Sequence, residues 1–75
     1  MSKPTRITNS IRALRFARGE MTQAELAQRI GVTRQTVIAI EQGRYSPSLE
    51  VAFQIARVLK VPLDEAFQYP EGEAQ

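Results

Sequence analysis

The sequence predicts a small all-α domain of five helices, and three observations point to this fold class. The chain has 75 residues, of which 43% are apolar and 24% charged, and this suits one hydrophobic core. Its apolar residues recur at the spacing of an amphipathic helix. Residue types that start or end helices bound each apolar run. We therefore expect one domain over residues 1–75, with a folded part at about 9–69 and tails at 1–4 and 70–75.

The first two predicted helices are short and amphipathic. Thr8 or Asn9 is the predicted N-cap of the first helix, and Gly19 ends this helix. Its apolar stripe is Ile11, Leu14 and Ala17, and its bases are Arg12, Arg15 and Arg18. Thr22 caps the second helix, and Gly31 stops it. Glu25 completes a capping box there, and the buried stripe is Leu26, Ala27 and Ile30.

Two further helices follow in the same pattern. Thr33 caps a third helix that runs from Arg34 to Gln42, with Gly43 closing it. Val37 and Ile40 are the two residues of this helix that are expected to face the core. Ser48 caps the fourth helix, whose apolar stripe is Leu49, Ala52, Ile55, Ala56 and Leu59. This longest stripe predicts the main core helix.

The chain ends are predicted to form a fifth helix and a small β-ribbon. Pro62 breaks the fourth helix, and one more helical turn fits between Leu63 and Ala66 or Phe67. Residues 5–7 and 67–69 alternate and contain β-forming residue types. If the helices bring the two ends together, these segments pair as a two-stranded antiparallel ribbon that rests on the bundle.

The composition argues for a binding protein and against an enzyme. The chain has no cysteine and no histidine, so we expect no disulfide, no metal site, no cofactor and no His-based catalysis. The carboxylates Asp64 and Glu65 are adjacent, and Glu71 and Glu73 fall in the predicted tail, so none forms an acid–base pair. No apolar run is long enough to cross a membrane, and no signal peptide is evident, so we expect a cytoplasmic location.

The charge is unevenly distributed along the chain. Residues 1–44 carry a net charge of +5 and residues 45–75 carry −3, although the whole chain has only +2. Eight of the ten bases are arginine, which binds phosphates and guanine edges in a bidentate way. The basic half is therefore predicted to face a polyanion, and the alternative is a solvated charged surface.

The most informative motif is the tight connection between the second and third predicted helices. Only Val32 separates Gly31 from Thr33, so the two helices must cross steeply, as in a helix-turn-helix. The small Ala27 suits the closest approach of the helices, and Gly31 suits a turn with positive φ. An ordinary helical hairpin is the alternative explanation.

The stretch TQAELAQRIGVTRQTVIAIEQGRYSPSLEVAFQIARVLKV resembles the Cro/C1-type helix-turn-helix regulators, also called the xenobiotic-response-element family. The resemblance covers about residues 9–69 and implies a lambda-repressor-like DNA-binding domain. The following PLDEAFQY and the β-prone start resemble the subgroup that includes the enterococcal cytolysin repressor. That subgroup implies a dimer with a two-stranded sheet from the chain ends. One departure is that the link Gly19-Glu20-Met21 is a residue longer than usual.

The resemblance implies that the third helix reads double-stranded DNA in the major groove. By motif position, the base-reading residues are Arg34, Gln35, Thr36, Ile38 and Ala39. Their chemistry agrees, because Arg pairs with guanine, Gln pairs with adenine, and the other three contact thymine methyls. The phosphate-binding residues are Gln23, Thr33, Arg44, Tyr45 and Ser46.

Other arginines receive different roles. In the family, an arginine of the first helix pairs with the glutamate at the end of the third, and Arg15 and Glu41 match those positions. We therefore expect a structural ion pair. Arg12 and Arg18 are expected to form a solvated face, and Arg6 is a candidate for loose attraction to phosphates.

The C-terminal third is the predicted interface of a homodimer, which reads a palindromic operator with half-sites about 34 Å apart. Its residues are Phe53, Val61, Leu63, Phe67 and Tyr69. The alternative is that these side chains complete the monomer core.

The sequence thus predicts a bacterial or phage-type transcriptional regulator, most simply a repressor that blocks promoters by occupancy and is associated with the nucleoid when bound. Two other functions remain open at this point. The chain could be the antitoxin of a toxin–antitoxin pair, which binds DNA and also a protein partner. It could also be a protein-interaction module without DNA function.

Overall fold

Five helices and a two-stranded antiparallel sheet make up the computed structural model, which describes residues 5–70. The elements in chain order are β1 (Thr8–Asn9), α1 (Ile11–Ala17), α2 (Gln23–Ile30), α3 (Arg34–Glu41), α4 (Leu49–Leu59), α5 (Leu63–Ala66) and β2 (Phe67–Gln68). The mostly helical fold class is confirmed. Of the predicted tails at residues 1–4 and 70–75, only Pro70 belongs to the described residues, and Glu71 and Glu73 lie outside them.

Hydroxyl side chains begin three of the helices, as the sequence predicts. The Thr22 Oγ1 accepts a hydrogen bond from the Glu25 amide (3.0 Å), and Thr33 and Ser48 cap α3 and α4 in the same way. Each cap pairs one of the amide groups that have no partner within a helix. The N-cap of α1 is Ser10, so the prediction of Thr8 or Asn9 is wrong. Those two residues instead form β1.

The predicted ribbon is present, but its N-terminal strand is displaced. Thr8 pairs with Gln68, and Asn9 pairs with Phe67, whereas residues 5–7 were expected to form this strand. The β2 strand begins directly after α5, and the Ser10 amide donates to the Ala66 carbonyl (3.0 Å), which fixes the register. The Thr5 Oγ1 instead accepts a local hydrogen bond from the Ile7 amide (3.1 Å).

One hydrophobic core lies between the helices. Its largest fully buried side chains are Ile11, Leu26, Val37, Ile40, Ile55 and Leu59. Two predicted core residues are wrong, because Leu49 is 68% exposed and Ala17 is also exposed. Leu49 begins α4 and Ala17 ends α1, so both lie beyond the edge of the core. Met21, which the periodicity did not single out, is buried in the link between α1 and α2.

The longer link after α1 is accommodated by its backbone. Gly19 and Glu20 both have positive φ, of 76° and 59°, and this brings Met21 back against the core. Among residues 5–70, no helix has the length and apolar character needed to span a bilayer.

Candidate nucleic-acid interface

The turn between α2 and α3 takes only three residues, 31–33. Gly31 has a φ of 77°, in the left-handed region, and the Val32 amide donates to the Ala27 carbonyl (3.0 Å). Ala27 on α2 and Val37 on α3 are both buried in the core. Of the element pairs described, α2 and α3 make the most extensive contact. The helix-turn-helix predicted from the sequence is therefore formed.

The first turn of α3 presents two long polar side chains to solvent. Arg34 and Gln35 are exposed, and within residues 5–70 neither side chain makes a hydrogen bond or an ion pair. Thr36 is half-buried, and its Oγ1 lies 3.0 Å from the Oγ1 of Thr33. The two long side chains are thus available to a partner, whereas the Thr36 hydroxyl already has a hydrogen bond.

The remaining residues predicted to read bases are less exposed than Arg34 and Gln35. Ile38 is half-buried, and so is Ala39. Each of them offers only part of its apolar surface to a base. Contact with a thymine methyl requires no more than such a small apolar patch.

The predicted phosphate contact at the start of α2 takes part in a hydrogen-bond network. The Gln23 side-chain amide donates from Nε2 to Glu41 Oε1 (3.1 Å), so the side chain leans toward the end of α3. One hydrogen of this amide remains for another acceptor. Gln23 is therefore held in place and retains a donor.

The loop after α3 carries the other predicted phosphate contacts. Arg44, Tyr45 and Ser46 are all exposed. The Ser46 hydroxyl donates to Thr5 Oγ1 (2.7 Å) and so holds the N-terminal segment against this loop. Arg44 makes no ion pair within the described part of the chain. Arg44 and Tyr45 therefore remain open to a partner, and Ser46 already has an internal contact.

A buried ion pair joins α1 to the end of α3. Arg15 Nε donates to Glu41 Oε2 (2.7 Å), and Arg15 Nη2 donates to Glu41 Oε1 (3.2 Å). The side chains are only 7% and 9% exposed. Arg15 Nη1 also donates to the Met21 carbonyl (2.8 Å), a contact that sequence reasoning missed. Since Gln23 donates to the same carboxylate, Glu41 connects three helices.

A second contact that the sequence did not predict anchors the ribbon to α3. The Asn9 side-chain amide donates from Nδ2 to the carbonyls of Ile40 (3.1 Å) and Glu41 (3.3 Å). The Asn9 Oδ1 accepts from the Ile11 amide (3.2 Å). One side chain thus supports the start of α1 and the end of α3. The only signal in the sequence is an asparagine just before a helix, which also suits an N-cap.

The residues predicted to form a dimer interface differ in their exposure. Phe53 and Tyr69 are 53% and 56% exposed. Leu63, Phe67 and Tyr69 line a shallow, mainly apolar cleft together with Ile7. Val61 and Phe67 are half-buried and pack against the core. These two residues therefore contribute to the monomer core, as the alternative interpretation of the sequence has it.

Comparison with known proteins agrees with this architecture. The model of the helix-turn-helix (HTH) family HTH_3 matches residues 11–65. An uncharacterized HTH-type transcriptional regulator of Methanocaldococcus jannaschii is 49% identical over 53 residues, which cover 71% of this chain and 80% of that protein. YgzD of Bacillus subtilis, also an uncharacterized HTH-type transcriptional regulator, is 41% identical over 84% of this chain and 94% of its own.

A repressor and a solved structure are also similar. RstR, the transcriptional repressor of the cryptic phage CTXphi in Vibrio cholerae, is 40% identical over 77% of this chain and 51% of its own length. The crystal structure of a candidate DNA-binding protein from Bacteroides fragilis superposes with a TM-score of 0.70. That match has 23% identity and covers 81% of this chain and 97% of the other, so it is a likeness of fold.

Proposed function

Since the chain belongs to the Cro/C1-type helix-turn-helix family of DNA-binding transcriptional regulators, we propose that it is a homodimeric repressor of a specific double-stranded operator. The 40% identity to RstR, a phage repressor, supports repression over activation. The simplest mechanism is occupancy of the promoter by the helix-turn-helix domain.

The proposal rests on the first turn of α3. In a helix-turn-helix, the N-terminal part of the second helix enters the major groove and contacts base edges. Arg34 and Gln35 lie there as exposed side chains without partners among residues 5–70. Arg34 suits guanine O6 and N7, and Gln35 suits adenine N6 and N7. Each such bidentate pair contributes about 1–3 kcal/mol of discrimination between bases. Thr36, Ile38 and Ala39 complete the proposed reading surface.

Contacts to the DNA backbone would fix the register of α3. Gln23 at the start of α2 retains an amide hydrogen for a phosphate oxygen, and α2 contributes its N-terminal dipole. Arg44 and Tyr45 extend from the loop after α3, and Thr33 and Ser46 are the remaining candidates. Such contacts position a protein on the duplex but do not read its sequence.

We assign the dimer interface to the C-terminal apolar surface, which consists of Phe53, Val61, Leu63, Phe67 and Tyr69. Leu49 joins this proposal because it is 68% exposed and lies one turn before Phe53 on α4. Aromatic residues on a surface favour protein interfaces. A two-fold dimer would place its two α3 helices about 34 Å apart, one turn of the duplex.

The decisive experiment is selection of a random duplex library with the purified protein, followed by sequencing. We expect enrichment of a palindrome with half-sites about one helical turn apart. The variant carrying Arg34→Ala and Gln35→Ala should lose this enrichment. The matched control carries Gln28→Ala and Arg29→Ala, which remove the same residue types from exposed positions on α2.

The results separate the proposed function from its alternatives. If the folded protein enriches no sequence, specific readout by this chain alone is wrong. An enrichment that survives the α3 substitutions would contradict the assignment of α3 as the reading helix. Loss of enrichment in both double variants would point to a general effect of charge.

A further inference from the structure

An open cleft separates α1 from the start of α2 and reaches the first residue of α3. Arg12 and Phe16 contribute to it from α1, Thr22 and Gln23 from the start of α2, and Arg34 from α3. Two of these residues, Gln23 and Arg34, already belong to the proposed DNA interface. The cleft therefore continues this interface toward α1.

Arg12 stands in this cleft without a counter-ion. Its side chain is exposed and makes no ion pair among residues 5–70. The Cζ of Arg12 lies 5.6 Å from the centre of the Phe16 ring, a cation–π distance. The ring restrains the guanidinium but leaves its charge and its hydrogen-bond donors unpaired. A group in this state is suited to bind an anion from solvent.

The charge balance of the cleft favours an anion. Glu20 and Glu41 are its carboxylates, and Glu41 is neutralised by Arg15. Arg12 and Arg34 remain as cations against the exposed Glu20. The field in the cleft is therefore positive, and the Gln23 amide adds a neutral donor beside it.

We propose that this cleft receives a phosphate of the DNA backbone and that Arg12 contacts it directly. The inference rests on the proposed function, since it adds α1 to the surface that holds the duplex. The proposal gives Arg12 a different role from Arg18, although the sequence predicts that both belong to one solvated face. Arg18 is also an exposed arginine, but it is the C-cap of α1 and does not line the cleft.

The test compares Arg12→Gln with Arg18→Gln on the selected duplex. Both variants lose one positive charge, so a general weakening of the field affects them alike. Affinity is measured from about 50 to about 200 mM salt, because the logarithm of affinity falls with the logarithm of salt by about 0.9 per neutralised phosphate. We expect the slope of Arg12→Gln to be shallower than that of Arg18→Gln by about 0.9 per bound chain.

Each outcome is decisive. Equal slopes for the two variants would overturn the phosphate contact while leaving the proposed function intact. The same reduction on unrelated duplexes would support it, because a phosphate contact is independent of sequence. If the wild-type protein bound no duplex at all, the proposed function would fail, and this inference would fail with it.

Discussion

The pair Arg15–Glu41 shows how a polar contact becomes structural when it is buried. The chain contains a second Arg–Glu pair, Arg29 with Glu25, at a similar distance of 2.8 Å. Its side chains are 54% and 44% exposed, against 7% and 9% for the buried pair. Water competes with the exposed pair, whereas the buried pair has only protein partners. Geometry alone would not distinguish the two.

Glu41→Gln should lower the free energy of unfolding by about 3 kcal/mol, because it leaves the Arg15 cation buried without a counter-charge. Glu25→Gln is the matched control and should cost about 0.5 kcal/mol, because its pair is solvated. Urea denaturation measures both. Equal losses in the two variants would show that burial does not govern the strength of the pair.

Lys60 is a second residue whose role depends on conformation. It is the C-cap of α4 and has a φ of 62°, in the left-handed region that disfavours most side chains. Glycine is the residue most often found there because it has no Cβ. Lys60→Gly should therefore stabilise the protein, by about 0.5–1 kcal/mol, as measured by thermal or urea unfolding.

A nearby substitution provides the control for that result. Arg57→Gly changes another exposed basic residue of α4, but one with ordinary helical geometry. It should destabilise by about 1 kcal/mol, the usual cost of glycine within a helix. A loss of stability in Lys60→Gly would contradict the account of strain at the end of α4.

At the level of elements, the ribbon and α3 are coupled. The β1 strand pairs with β2, and its Asn9 donates to two carbonyls at the end of α3. Without this contact, those carbonyls would lack a side-chain donor. The position of α3 is therefore set from both ends, by the Gly31 turn at its start and by β1 at its end.

Asn9→Asp should destabilise the protein by about 1–3 kcal/mol. Aspartate keeps an oxygen acceptor for the Ile11 amide, but it replaces the donor with a carboxylate that faces the Ile40 and Glu41 carbonyls. Asn9→Ala, which removes both functions, is the comparison. If Asn9→Asp matched the wild-type protein in urea denaturation, the coupling of β1 to α3 would be energetically negligible.

For the whole molecule, the proposed DNA contacts and the proposed dimer surface come from different parts of the chain. The DNA contacts fall within residues 12–46, where arginines are frequent, and the dimer surface falls within residues 49–69. The second part carries three acidic and two basic residues, and this slight negative charge disfavours its contact with DNA. This division would let one short chain bind a duplex and a second copy at the same time.

The double variant Phe53→Ser and Tyr69→Ser should dissociate the proposed dimer. Each aromatic ring removed from an interface costs about 1.5–3 kcal/mol, or roughly tenfold to hundredfold in the dimer Kd. Sedimentation or light scattering measures the change. Phe16→Ser is the control, because Phe16 is 53% exposed, as Phe53 is, but lies on α1. An unchanged mass for the double variant would contradict this interface.

The sequence alone determined the helices and the turn that joins α2 to α3. Threonine and serine caps, glycines with positive φ and apolar spacing act within a few residues, so they can be recognised without knowledge of the fold. The exposed positions of Arg34 and Gln35 follow from the same local pattern, since Val37 and Ile40 define the inward face of α3. The Arg15–Glu41 contact was expected only through the family resemblance.

The tertiary structure decided the features that depend on contacts between residues far apart in the sequence. Periodicity placed Leu49 and Ala17 in the core, but it carries no information about where the neighbouring elements end. The register of the ribbon was set by the Ser10–Ala66 hydrogen bond across the chain ends, and not by the β-propensity of residues 5–7. The role of Asn9 likewise depends on a distant partner, the end of α3. The role proposed for Arg12 depends on the cleft between α1 and the start of α2.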